Sequence, residues 1–103
     1  MLTFLFGAFY SELKVLRTHV DLLNSTKDRP DVLSSVYYEG IADWLGHFRE
    51  ECKKFELPES IKRIDRIIAH VKDKHDHVYL RVHLNDLEPA IKGEAEDHLV
   101  DGF

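Results

Sequence analysis

The sequence predicts an all-α fold, an antiparallel four-helix bundle or two helical hairpins, and three observations predict it. Glycine and proline are scarce, 5 and 3 in 103 residues, so the stretches between breakers are long. Apolar residues in those stretches recur at spacings of three and four, the period of one face of a helix. The length, 103 residues, suits a single helical domain with one core, because a chain of this size buries roughly two-thirds of the surface its unfolded form exposes.

The first helix carries the most regular pattern. Leu2, Phe6, Phe9, Leu13, Leu16, Val20 and Leu23 alternate spacings of four and three without a miss, a coiled-coil-like stripe that faces partner helices along its whole length. The helix is expected from about Leu2 to Leu23, with the polar run Asn24 to Asp28 as the turn. Pro30 then reads as a helix start, where its missing N–H is harmless, with Asp28 and Asp31 near the amide-rich end. On one face the second helix is expected to carry Leu33, Tyr37, Ile41, Trp44, Phe48, Cys52 and Phe55. Gly40 and Gly46 lie inside it and are expected to admit a close neighbour, since a helical glycine otherwise costs about 1 kcal/mol against alanine.

Leu57-Pro58-Glu59-Ser60 is a second helix-start signal. Ile61, Ile64, Ile68 and Val71 form the expected buried stripe of the third helix, with Ile67 at its edge. The fourth helix is expected from near Asp76, with Leu80, Leu84, Leu87, Ile91, Ala95 and Leu99 inward. Pro89 falls inside it and predicts a kink, because an interior proline removes one hydrogen bond and crowds the preceding turn.

Composition narrows the function classes. The formal charge of −5 weakens general affinity for nucleic acid or anionic membranes. Seven histidines make that charge sensitive to mild acid: protonating all of them brings −5 to +2. The single Cys52 excludes an internal disulfide and points to a reducing, cytoplasmic setting. Met1 to Tyr10 is nearly all apolar, yet no lysine or arginine precedes it and no small-residue cleavage site follows. Glu12 and Lys14 interrupt the run before the ~20 residues of a membrane span. It reads as a core helix, with no membrane partner.

Few residues group as chemistry requires. His70, His75, His77 and His83, with Asp73 and Asp76 among them, are the densest set of metal-ligand types. Ligands on one helix face stand three or four apart, whereas His75 and His77 are two apart, so no metal site is expected. No histidine has a glutamate three residues before it, the di-iron pattern, and two histidines flanking a glutamate are absent too. Glu39, Asp43 and His47 share a ridge of the second helix and read as a solvated face. Cys52 lies on an apolar stripe, where thiols are inert. Phosphate-cradling glycine loops are missing, and no cofactor is implied.

Lys62, Arg66, His70 and Lys74 form a basic ridge on the third helix, suited to a phosphate backbone or an acidic surface, although Asp65 and Asp73 are interspersed; Lys62, Arg63, Arg66 and His70 are the anion-binding candidates. Arg63 and His70 fall within the Arg-to-His spacing of the HEPN ribonucleases, small all-helical proteins that this stretch resembles. In that family a polar residue commonly follows the arginine; here it is Ile64. Seven positions along a helix bring Arg63 and His70 to one face, where the resemblance implies a general base working beside a phosphate-holding cation, as in a ribonuclease.

A broader resemblance rests on Tyr10-Ser11-Glu12-Leu13-Lys14, on Glu51 through Ser60, and on a last helix ending near Leu99. In these the chain is similar to the N-terminal helical region of a group of larger uncharacterised bacterial proteins, in which a Leu-Pro-x-Ser junction links two helical hairpins. It implies an all-α fold and an N-terminal piece of a longer chain, and it brings no catalytic residues. Pro89 departs from that pattern. The abrupt end, Leu99-Val100-Asp101-Gly102-Phe103, also suggests a longer polypeptide.

Aligned apolar faces without an active site predict a protein-interaction or oligomerisation module. Leu2, Phe4, Leu5, Phe6 and Phe9 crowd the first turns, including positions off the main stripe, and are the expected interface of a homodimer or of the remainder of a longer chain.

Overall fold

The computed structural model describes the backbone of residues 2–99 and the side chains of residues 9–96 other than Pro30. The uninterrupted stripe of the first helix produces α1, Leu2–Ser25, and Phe9, Leu13, Leu16, Val20 and Leu23 are all buried. Three further helices follow: α2, Ser35–Lys54; α3, Pro58–Asp73; and α4, His77–Leu99. No strand occurs among the described residues.

Cross-links between helices fix the topology. Glu12 and His19 of α1 meet Trp44 and Tyr37 of α2 in reverse order. Arg49 and Tyr38 of α2 meet Asp65 and His75 on the α3 side. Ser60 and His70 of α3 meet Glu94 and Tyr79 of α4, and Arg17 and Asn24 of α1 meet Glu88 and Asn85 of α4. Every neighbouring pair is antiparallel, so the fold is an up-down-up-down four-helix bundle. One core runs along it, built from Leu16, Leu23, Ile41, Leu45, Phe48, Ile64, Leu80, Leu84 and Ile91 with their neighbours.

Several sequence expectations are corrected. Pro30 does not open α2. It begins a separate 3-10 turn, Pro30–Val32, and α2 starts at Ser35 with Ser34 as N-cap, its hydroxyl accepting from the Tyr37 amide. The inner face of α2 is rotated accordingly: Tyr38, Ile41, Ala42, Leu45, Phe48 and Cys52 are buried, while Leu33, Tyr37 and Trp44 are half-buried at the flank. On α3, Ile67 is fully inside at 2% exposure and Ile61 and Ile68 are the flanking pair, the reverse of the expected assignment. Gly40 and Gly46 admit no close neighbour: an added Cβ would meet nothing within 4 Å at either position.

The α2–α3 junction is short and fully bonded. The Glu56 and Leu57 amides donate to the Lys53 and Cys52 carbonyls at 3.1 Å each, the paired bonds of a Schellman C-cap. Glu56 takes the left-handed position with φ of 55°, and Leu57, fully buried, packs back onto the core. Pro58 follows at the first position of α3. α4 stays one helix through Pro89, which is exposed.

Candidate functional site

Polar and aromatic chemistry collects at one end of the bundle, where α1 and α3 finish and α2 and α4 begin. The short linker from Lys74 to Asp76 sends neighbouring side chains in different directions. His75 is exposed and stacks on Tyr38 of α2, ring centroids 4.7 Å apart and planes within 4°. Asp76 caps α4, accepting from the Tyr79 amide at 3.0 Å, and its second oxygen lies 3.5 Å from His70 Nε2. Those contacts hold the Asp76 carboxyl below its ordinary range, the Tyr79 amide being the chief cause. His77 is buried, with Nε2 sharing a hydrogen bond with Thr26 Oγ1 at 3.3 Å.

Tyr79 lies between two imidazoles, His70 at 3.6 Å and His83 at 4.0 Å between centroids. The four histidines grouped in sequence are therefore divided among three settings. Among the described residues no three metal-ligand side chains converge. His75 and His77 in particular turn to different partners.

Beside the Tyr38–His75 stack a cleft of about 220 Å³ opens between α2 and α3, lined by Tyr38, Glu39, Ala42, Asp43, Val71, Lys72 and His75. The same two rings border a shallow depression with Asp31, Leu33, Ser35, Asp76, His77 and Val78. Ala42 and Val71 give the cleft an apolar floor; Glu39 and Asp43, one helical turn apart, form a carboxylate wall. Neither carboxylate has an ion-pair partner among the described residues, so Lys72 stands beyond pairing distance of both. The Tyr38 ring is only 4% exposed, but its hydroxyl is not among the buried unpaired atoms of the described residues, which are His70 Nε2, Arg81 Nε and Glu88 Oε2, so it reaches solvent. Burial, with Asp76 nearby, raises its pKa, so the phenol stays neutral.

The basic ridge is less concerted than the sequence suggests. Lys62 is paired with Glu59 at 3.4 Å, and His70 turns against Tyr79. Arg63 and Arg66 are exposed and have no carboxylate partner among the described residues. Cys52 is buried, and its thiol is pushed up to about 12 by burial and the carboxylates of Glu94 and Glu51, so it is no nucleophile near neutral pH. Phe9 is 1% exposed and packs edge-on against Phe48 and Phe55, which places it in the core. The side chains of Leu2, Phe4, Leu5 and Phe6 lie outside the described residues.

Two interactions have no local sequence signal. The Glu94 carboxylate of α4 caps α3: one oxygen accepts from the Ser60 amide and hydroxyl at 2.8 and 2.7 Å, the other from the Glu59 amide at 2.9 Å. Trp44 Nε1 donates to Glu12 at 2.7 Å, and His19 packs on the indole at 5.2 Å. Burial lowers the His19 pKa and raises that of Tyr37 to about 12, Tyr38 adding to the latter.

The arrangement defines a four-helix bundle with an aromatic, carboxylate-lined cleft at one end. No family model, curated protein or solved structure matches the chain. No helix among the described residues is long and apolar enough to cross a membrane.

Proposed function

We propose that the chain is a helical interaction module that self-associates through the outer face of α1 and has no catalytic activity of its own. One observation carries this reading. Besides its buried stripe, α1 presents Ser11, Val15, Thr18 and Leu22 to solvent at alternating spacings of four and three, with Val15 37% and Leu22 39% exposed. That is the seam spacing of a paired helix, and continued toward the start of α1 it falls on Phe4, one of the residues singled out in the sequence. A symmetric pairing of two α1 helices covers this second seam. The partly buried state of Val15 and Leu22 leaves a modest area, so association in the micromolar range is expected. The reading needs no cofactor and fits a cytoplasmic setting.

Light scattering over a concentration series tests it. A dimer that Leu22→Glu and Phe4→Glu each dissociate is the expected result; a clean monomer at high micromolar concentration would overturn it.

A second reading, RNA or phosphate binding, is favoured by the two unpaired guanidiniums of Arg63 and Arg66. It predicts that fluorescent short RNA binds at low salt, weakens steeply as salt rises, and is lost in Arg63→Ala with Arg66→Ala. Salt-insensitive or absent binding would remove it.

A further inference from the structure

We propose that the flank between α3 and α4 holds an unpaired nucleotide, its base stacked on His83 and its phosphate against the guanidiniums of Arg66 and Arg63. The inference rests on the second reading above, anion binding by those two arginines, and adds the group that selects the ligand. The first observation is an unfinished stack of rings. His70, Tyr79 and His83 lie one on another with centroids 3.6 and 4.0 Å apart. Tyr79 is covered on both faces, whereas His83 is covered on one. His83 is exposed, and it makes no hydrogen bond and no second ring contact among the described residues. Its outer face is an open platform on which one more flat ring continues the column.

The second observation is the register of the two helices. Ser60 meets Glu94 and His70 meets Tyr79, so α3 and α4 run antiparallel along this flank. One turn back from His70 on α3 is Arg66, and one turn on from Tyr79 on α4 is His83, which sets the two at one level of the bundle. Arg63, three residues before Arg66, continues the ridge. Both guanidiniums are exposed and have neither an ion pair nor a hydrogen bond among the described residues. A free planar face beside free guanidiniums fits a base joined to a phosphate. A bare phosphate leaves the ring unused, and a carboxylate side chain brings no ring to it. Asp86, exposed on the same flank of α4 one turn past His83, and Glu59, paired with Lys62, limit the positive field. The site therefore suits one or two phosphates rather than the continuous backbone of a duplex, whose bases are also kept inside, out of reach of His83. The nucleotide is either free or part of a single strand, and the test separates these.

The experiment is a fluorescence anisotropy titration of the 103-residue chain at low salt with a short labelled oligoadenylate, with the same strand in a duplex, and with an abasic strand of equal length. The single strand is expected to bind about tenfold more tightly than the abasic strand and the duplex, the factor that one stacked base supplies. His83→Ala should remove that factor, and His83→Phe, which keeps a stacking ring, should restore most of it. His83 is exposed, so neither change touches the core. Arg63→Ala with Arg66→Ala should abolish binding of every probe. The His83 ring-proton resonances should move upfield on addition of the oligoadenylate, from the ring current of the base, and not on addition of inorganic phosphate. Adenosine monophosphate that competes as well as the strand assigns the site to a free nucleotide; a strand that binds more tightly assigns it to nucleic acid. Equal or tighter binding of the abasic strand or the duplex, or undiminished affinity in His83→Ala, would overturn the stacking site and leave anion binding by the arginines in place. Absence of salt-sensitive binding with every probe would overturn both.

Discussion

Glu94→Ala tests the tie between the two ends of the second half of the chain. The wild-type carboxylate satisfies the Glu59 and Ser60 amides and the Ser60 hydroxyl, three donors at the start of a helix whose N-cap, Leu57, has no side-chain acceptor. A lost cap alone costs about 1 kcal/mol, and a hydrogen bond to a charged acceptor contributes roughly 1.5–3 kcal/mol. Glu59 is exposed and its amide can rehydrate, whereas Ser60 is 1% exposed and cannot easily do so. The net loss is therefore about 2–3 kcal/mol, a drop in Tm of roughly 10–20 °C for a domain this size. Urea unfolding followed by circular dichroism measures it, and the midpoint should fall with the slope unchanged. Glu94→Gln keeps one carbonyl oxygen for Ser60 and should lose about half as much. In Glu94→Ala with Ser60→Ala the two effects should fall short of additivity by about 1 kcal/mol. A loss below about 0.5 kcal/mol for Glu94→Ala would refute the reasoning.

Two helix-backbone changes should stabilise the bundle. Gly40→Ala fills open space in a helix interior, and Glu56→Gly relieves a left-handed residue; each is expected to gain about 0.5–1 kcal/mol in thermal melts, and a loss at either would contradict the backbone geometry. Alkaline pH should destabilise the fold, because Cys52 and Tyr37 keep their protons to about 12, against ordinary values of 9.0 and 10.0. The unfolded chain releases those protons first, so this stability is complete below 9.0 and is lost as pH rises toward about 12. Urea midpoints should decline over that window and less so in Cys52→Ala, and native protein should resist alkylation at Cys52 until unfolded; a rising midpoint or prompt labelling would refute the assignment.

The fold was legible where one helix face is purely apolar. Leu13, Leu16, Val20 and Leu23 have no polar atoms to place, so their spacing alone located the buried side of α1. The inner face of α2 departs from its sequence spacing because Tyr37 and Trp44 count as apolar there, yet the indole N–H and the phenol need partners and find them at the flank, in Glu12 and His19. Ile61, Ile64, Ile67 and Ile68 span too wide an arc for spacing to choose among them; packing against α2 and α4 decides. Ser34 was a readable N-cap signal, overshadowed by Pro30. Of the candidate site, the polar turn and its histidines were visible, but the cleft was not. It depends on Tyr38 and His75 meeting across α2 and the linker, a contact that no local pattern announces. Glu94 is equally silent, since its partners lie more than thirty residues away.

The amide pair Asn24–Asn85 has a consequence beyond the two bonds it contains. Each side chain donates to the other, at 3.2 and 3.1 Å, between α1 and α4. The apolar seams of these helices nearly repeat, so sliding one past the other by two turns would still set apolar rows against each other. Hydrophobic burial alone is almost indifferent to such a slip. The asparagines are not: displaced, Asn24 would face the level of Val78 or Lys92 and leave a half-buried amide without its mate. The pair thus acts as a molecular vernier, giving up a little apolar contact to single out one alignment among near-equivalents, and the depth of every loop at both ends of the bundle follows from that choice.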